Sequence, residues 1–241
     1  MSTLSAGEKR IKRAMFWDKL TFVLVAIFLA LSTLFSVTLI YQKTYFKIKW
    51  VNGQSMYPTF NANAKRANGQ PKGIDGGPAF GNEKNFDCVI YDPHETTMSK
   101  LERFDIVILS KSKAADDDLI KRVLVLPGET FYFGSGEDNG TLYIQGSSGE
   151  FAKIEQPIGE SYIRDGDYTG YYSPVTLSDN QYFVCGDNRG HSTDSRNFGP
   201  IEKSQILGIV VAVIGTCDTK LAEDNSVIYT NMKIGWPRFI K

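Results

Sequence analysis

The pattern of apolar and polar positions changes character once, near residue 43, and that change divides the chain. Residues 20–42 contain no charged side chain, and residues 22–40 (F-V-L-V-A-I-F-L-A-L-S-T-L-F-S-V-T-L-I) form an apolar run of 19 residues, close to the ~20 that cross a bilayer as a helix. A transmembrane anchor over residues 21–42 is therefore predicted. A cleaved leader is the rival reading, but its apolar region spans ~7–15 residues and ends on a small-x-small site, whereas here Ile40, Tyr41, Gln42 and Lys43 follow. Lys9, Arg10, Lys12, Arg13 and Lys19 precede the run, against Lys43, Lys47 and Lys49 after it. That bias predicts a cytoplasmic terminus over residues 1–20 and an extracytoplasmic domain over residues 43–241, on a single-pass protein of the cytoplasmic membrane.

Beyond the run the period falls to two. Residues 45–51 (Y-F-K-I-K-W-V) alternate Phe46, Ile48 and Trp50 against Lys47 and Lys49, as a half-buried strand does. Residues 61–83 hold five Gly, four Asn and two Pro with little means of forming a core, and predict a mobile loop insertion. Strands are predicted over residues 86–91, 104–110 and 119–126, each rich in β-branched residues and bounded by polar clusters. Two short strands over residues 130–133 and 142–145 flank a Gly-rich hairpin loop, and residues 146–180 continue a small β excursion of about 130–180. Core-like runs return at residues 182–185 and 206–214. No long amphipathic helical pattern follows residue 50, so the expected fold is mainly β, one β domain after one helix.

Composition narrows the function classes. The 27 basic and 27 acidic residues balance overall, but residues 1–49 carry eight basic and two acidic, leaving nineteen and twenty-five for the rest. An acidic main domain lacks the surface that replaces phosphate counterions, which argues against a nucleic-acid partner. Cys88, Cys185 and Cys217 are odd in number and lack C-x-x-C spacing, so neither a disulfide framework nor a zinc site is indicated. His94 and His191 are the only histidines; they form no H-E-x-x-H pattern and give a Ser-His-Asp triad few candidates. No cofactor is indicated.

Three stretches carry candidate chemistry. In V-N-G-Q-S-M-Y-P-T-F (51–60), Ser55 sits between Gly53 and Pro58, residues that hold a hydroxyl at a rigid bend; an ordinary Gly/Pro loop is the alternative. In I-K-R-V-L-V-L-P (120–127), alternation sends Lys121, Val123 and Val125 to one face and Ile120, Arg122, Leu124 and Leu126 to the other. A lysine desolvated among branched side chains loses its proton more readily and could take one from a serine; an edge-strand lysine with its ammonium in water is the alternative. In G-D-N-R-G-H-S-T-D-S-R-N-F-G-P-I (186–201), Asp194 and Arg196 can lock a loop through a bidentate bond, and Ser192 can orient a neutral amine by accepting its N–H. The bland reading is a polar surface loop, and His191 reads as a loop histidine.

In order, the anchor, G-Q-S-M-Y-P-T, R-F-D-I-V, I-K-R-V-L-V-L-P-G-E and G-D-N-R-x-x-S-T-D-S-R-x-F-G resemble the type I signal peptidases, the membrane-anchored Ser-Lys leader peptidases of bacteria, in their Gram-positive-like branch. The resemblance implies a β-rich catalytic domain resting on the membrane, and cleavage after small residues in A-x-A-like sites of exported proteins. It implies Ser55 as nucleophile, Lys121 as general base, Ser192 as the hydroxyl that orients the amine, and Asp194 with Arg196 as a structural ion pair. Implied partners are signal-peptide-bearing preproteins, membrane lipid and the export machinery. Gly53 stands where some members carry an oxyanion-hole serine, so the hole is expected to rest on the Ser55 backbone N–H, with or without water. A self-cleaving Ser-Lys regulatory protein and a non-catalytic membrane-tethered assembly scaffold are the two alternatives.

Overall fold

The computed structural model describes residues 6–74, 81–110 and 118–240. Parts of two sequence expectations, residues 1–5 of the N-terminal segment and residues 75–80 of the insertion, lie outside them. The chain forms two compact units that divide between Tyr45 and Phe46.

The first unit is one helix, α1 (Ala6–Tyr45). Its stretch Met15–Thr38 is long and apolar enough to cross a membrane, and Phe22, Phe28, Leu31, Leu34 and Phe35 stand exposed around it, as on a helix whose solvent is lipid. The hydroxyls of Ser36 and Thr38 donate back to the carbonyls of Ser32 (2.9 Å) and Leu34 (2.8 Å), so these polar groups are satisfied by the helix itself.

The second unit is mainly β. In chain order it contains β1 (Lys47–Trp50), β2 (Phe86–Asp92), α2 (Glu95–Met98), β3 (Ile106–Ser110), β4 (Asp118–Val125), β5 (Thr130–Phe133) and β6 (Leu142–Gln145). Then follow β7 (Phe151–Ile154), α3 (Glu160–Arg164), β8 (Val175–Thr176), β9 (Gln181–Cys185), α4 (Ser195–Phe198), β10 (Ile201–Glu202), β11 (Ile206–Leu221) and β12 (Val227–Phe239). The large sheet runs β1-β2-β11-β3-β4-β9-β10, with β12 paired to β11; β7-β6-β5-β8 form the small one. All the pairings are antiparallel.

Apolar clusters root the site. Val51, Met56 and Phe60 from the Ser55 loop pack with Val89, Ile106, Ile108 and Ile120. Leu124 and Val125 join Phe131, Phe133 and Phe183 in the cluster of the small sheet. The predicted alternation of β4 holds as far as Val123, which packs beside Val107, the residue opposite Lys121. It fails at Val125, because a register shift against β9 turns Leu124 and Val125 into one cluster.

Three further expectations are corrected. Ile48, expected to be half-buried, is 53% exposed, because β1 is the end strand of the sheet. β11 outruns the predicted 206–214, and β12 was not predicted at all. The insertion is not a free loop where it is described: Lys72 and Glu83 form a buried ion pair at 2.6 Å, and Thr219 N–H donates to Glu83 O at 2.8 Å. Ala64 packs with Phe86 and Cys217. A Gly/Asn-rich segment without its own core has borrowed one from β2 and β11.

Candidate active site

β1 leads directly into the Ser55 loop. Gly53 takes φ +91°, a backbone state that favours glycine, and Tyr57 N–H closes the turn on Gln54 O at 3.0 Å. Asn61 braces the loop from behind. Its Nδ2 donates to Val51 O (2.9 Å) and Gly53 O (2.7 Å), while its backbone N–H donates to Asp87 Oδ2 and its Oδ1 accepts from Asp87 N–H, both at 2.8 Å. The hydroxyl of Ser55, half-buried on this support, accepts a hydrogen bond from Lys121 Nζ at 2.9 Å.

Lys121 reaches that hydroxyl from the middle of β4. It is 2% exposed, and its Nζ also donates to Ile120 O at 2.9 Å. Burial pulls its pKa down from 10.5 to about 8, with Asp194, Cys185 and Asp187 restraining the fall. The aqueous-ammonium alternative therefore fails on burial, and the amine is close to the state in which it accepts a proton near neutral pH.

The third stretch holds the loop and the lysine together. Asp187 takes a bidentate bond from Arg122 (Nε at 2.8 Å, Nη2 at 2.7 Å) and a further bond from Thr59 Oγ1. Asn188 donates its N–H to Ser55 O (3.1 Å) and its Nδ2 to Gln54 O (3.0 Å). Gly186 lies so close to Ser55 O and Ser192 Oγ that any Cβ there would collide with both.

Asp194 and Arg196 meet in a buried bidentate pair, at 2.8 and 2.9 Å. Burial alone would raise the Asp194 carboxyl, but Arg196 and the Gly186 N–H outweigh it and leave the carboxyl below its usual range. Asp194 also caps α4. Ser192 lies beside these groups and not on the amine. Its buried Oγ meets no partner at normal hydrogen-bond geometry, though it is near enough to Asp194 to support that carboxylate's charge. His191 is exposed in the turn before Ser192.

The pair opens into a cleft of about 510 Å³ whose lining includes Lys49, Trp50, Asn52 and Ser55 and residues 118–121. Cys88, Cys185 and Cys217 are free and buried.

The family described as "Signal peptidase, peptidase S26" matches residues 20–214. The chain belongs to the signal peptidase family. It is 31% identical over 210 residues to a signal peptidase I of Bacillus amyloliquefaciens, covering 84% of this chain and 88% of that one. It is 29% identical over 213 residues to signal peptidase I T of Bacillus subtilis, covering 86% and 88%. A solved signal peptidase I from Enterococcus faecalis V583 is 27% identical and covers 45% of this chain and 95% of that one, at a TM-score of 0.34. The chain is accordingly a serine endopeptidase of the Gram-positive-like signal peptidases, a family that removes signal peptides from preproteins.

Sequence reasoning missed Arg122, Asp187, Asn188 and Asn61, which fix this signal peptidase's serine loop. Arg122 left a signal: a cation inside an apolar strand needs a buried partner. Its partner lies 65 residues away, beyond the reach of any local pattern.

Proposed function

We propose that the chain is a membrane-anchored signal peptidase that works through a Ser55–Lys121 dyad and an acyl-enzyme. The observation that carries this reading is the 2.9 Å bond from a buried amine to the Ser55 hydroxyl. The neutral Lys121 amine takes the Ser55 proton as Oγ attacks the scissile carbonyl, and the ammonium so formed returns it to the leaving amine. Water, deprotonated by the same amine, then releases the acyl group from Ser55. The Ser55 N–H stabilises the oxyanion, Ser192 sits within the group that sets the lysine environment, and Asp194–Arg196 holds the loop beneath. Residues 1–20 stay in the cytoplasm, α1 is the anchor, and the β unit acts outside on preproteins delivered by the export machinery.

The test is cleavage of a purified preprotein by the full chain in detergent, read by the N-terminus of the product and by mass spectrometry of the enzyme. The expected result is one new N-terminus and an acyl adduct on Ser55, both lost in Ser55→Ala. Cleavage that persists in Ser55→Ala would overturn the assignment.

A further inference from the structure

Two strand edges face each other across the cleft. β1 ends the large sheet, and among the described residues no strand pairs with its outer edge. β4 lies four places along the same sheet, and β9 covers it only from Arg122 onward, so among the described residues no strand pairs with that edge of residues 118–121 either. The sheet curls until these edges meet at one point, where Lys49 Nζ of β1 donates to Asp118 Oδ2 of β4. Lys49 and Asp118 are 33% and 16% exposed and both line the cleft. Asp118 is three residues from Lys121 along β4, about 10 Å at ~3.4 Å per strand residue.

An extended peptide lying between the two edges with its reacting carbonyl at Ser55 therefore has room for about three residues before its backbone reaches the ion pair. We propose that Lys49 and Asp118 are specificity-determining residues, a charge-neutralised end wall that meets the substrate residue about four positions from the scissile bond. This rests on the reading of Ser55 and Lys121 as the reacting pair and adds to it a charge-sensitive subsite. While the two charges satisfy each other, the wall favours neither sign. Removal of one exposes the other to the substrate, at a place where like charges are excluded and opposite charges held. An ion pair that only ties two strands together would show no such preference.

The experiment uses the full chain in detergent micelles and a series of fluorogenic peptides. Each carries a single Glu or Lys at one of the positions two to six from the scissile bond, on either side. The expected result is that the parent chain cuts Glu and Lys peptides at similar kcat/KM. Asp118→Ala should favour Glu, and Lys49→Ala should favour Lys, by on the order of tenfold, with the change in KM and confined to positions three to five on one side. The double variant should lose both preferences. Lys49→Gln and Asp118→Asn repeat the test with side-chain volume kept, should either alanine variant fail to fold. Unchanged Glu/Lys ratios in both single variants, or equal shifts at every position, would overturn the proposal. Failure of the parent chain to cut any peptide would overturn the functional reading itself, and the end wall with it.

Discussion

Burial brings the Lys121 amine down to about 8, and the sign of that shift acts oppositely on activity and stability. In the proposed dyad only the neutral amine can accept the Ser55 proton, so kcat/KM should fall as pH drops below about 8, with roughly a tenth of the amine neutral at pH 7. In the unfolded chain the same amine titrates near its ordinary value of 10.5, so between the two values the unfolded state binds the proton that the folded state has lost. Stability should therefore rise with pH across that interval, and the full cost of burying the cation is present below it. Lys121→Met is predicted to be inactive yet more stable at pH 7 by up to about 3 kcal/mol, the gain shrinking between about pH 8 and 10.5. Thermal unfolding of both proteins across that range measures it; a destabilised Lys121→Met would contradict the pKa assignment. Ser55 and Lys121 were legible because a serine between Gly53 and Pro58 and a lysine inside an apolar strand are each locally odd. The bond between them was not, since it joins residues 66 apart.

At the scale of elements, β-branched runs bounded by polar clusters identified β2, β3 and β4, a Gly-rich hairpin loop identified β5 and β6, and a core-like run identified β9. β12 carries Asn231, Gly235 and Pro237 and exposes Ile234 (78%), Trp236 (97%) and Phe239 (75%). With no buried face to advertise it, pairing with β11 alone makes it a strand. Long-range ion pairs were equally silent. Asp187→Ala would leave the Arg122 guanidinium, 3% exposed, without its carboxylate, and should cost about 3–5 kcal/mol while freeing the Ser55 loop through Thr59. Thermal unfolding should register the loss, and a change within ~0.5 kcal/mol would argue against the clamp. The insertion offers a parallel case. Glu83→Ala removes the carboxylate that pairs with buried Lys72 and should make the 61–83 segment the first site cut in limited proteolysis; an unchanged digestion pattern would return it to the status of a free loop.

The whole molecule reads as an apolar helix followed by a curled sheet whose edges frame the Ser55–Lys121 pair. Its neutral total charge conceals a basic N-terminal segment and an acidic remainder. Protease added to intact spheroplasts should therefore degrade the chain beyond about residue 45, and full protection would contradict the orientation. The class of fold and the apolar helix were legible because a 19-residue apolar run and period-two patterning are statements about solvent. The curl that brings β1 opposite β4 was not, because it arises from sheet order and register shifts. The central claim, that a neutral lysine amine activates Ser55, is tested most directly by cleavage of an A-x-A peptide by full-length Lys121→Arg. Guanidinium stays protonated at any workable pH, so it keeps the charge and cannot act as base. The predicted result is activity near the Ser55→Ala background from pH 7 to 10; substantial cleavage by Lys121→Arg would contradict the dyad.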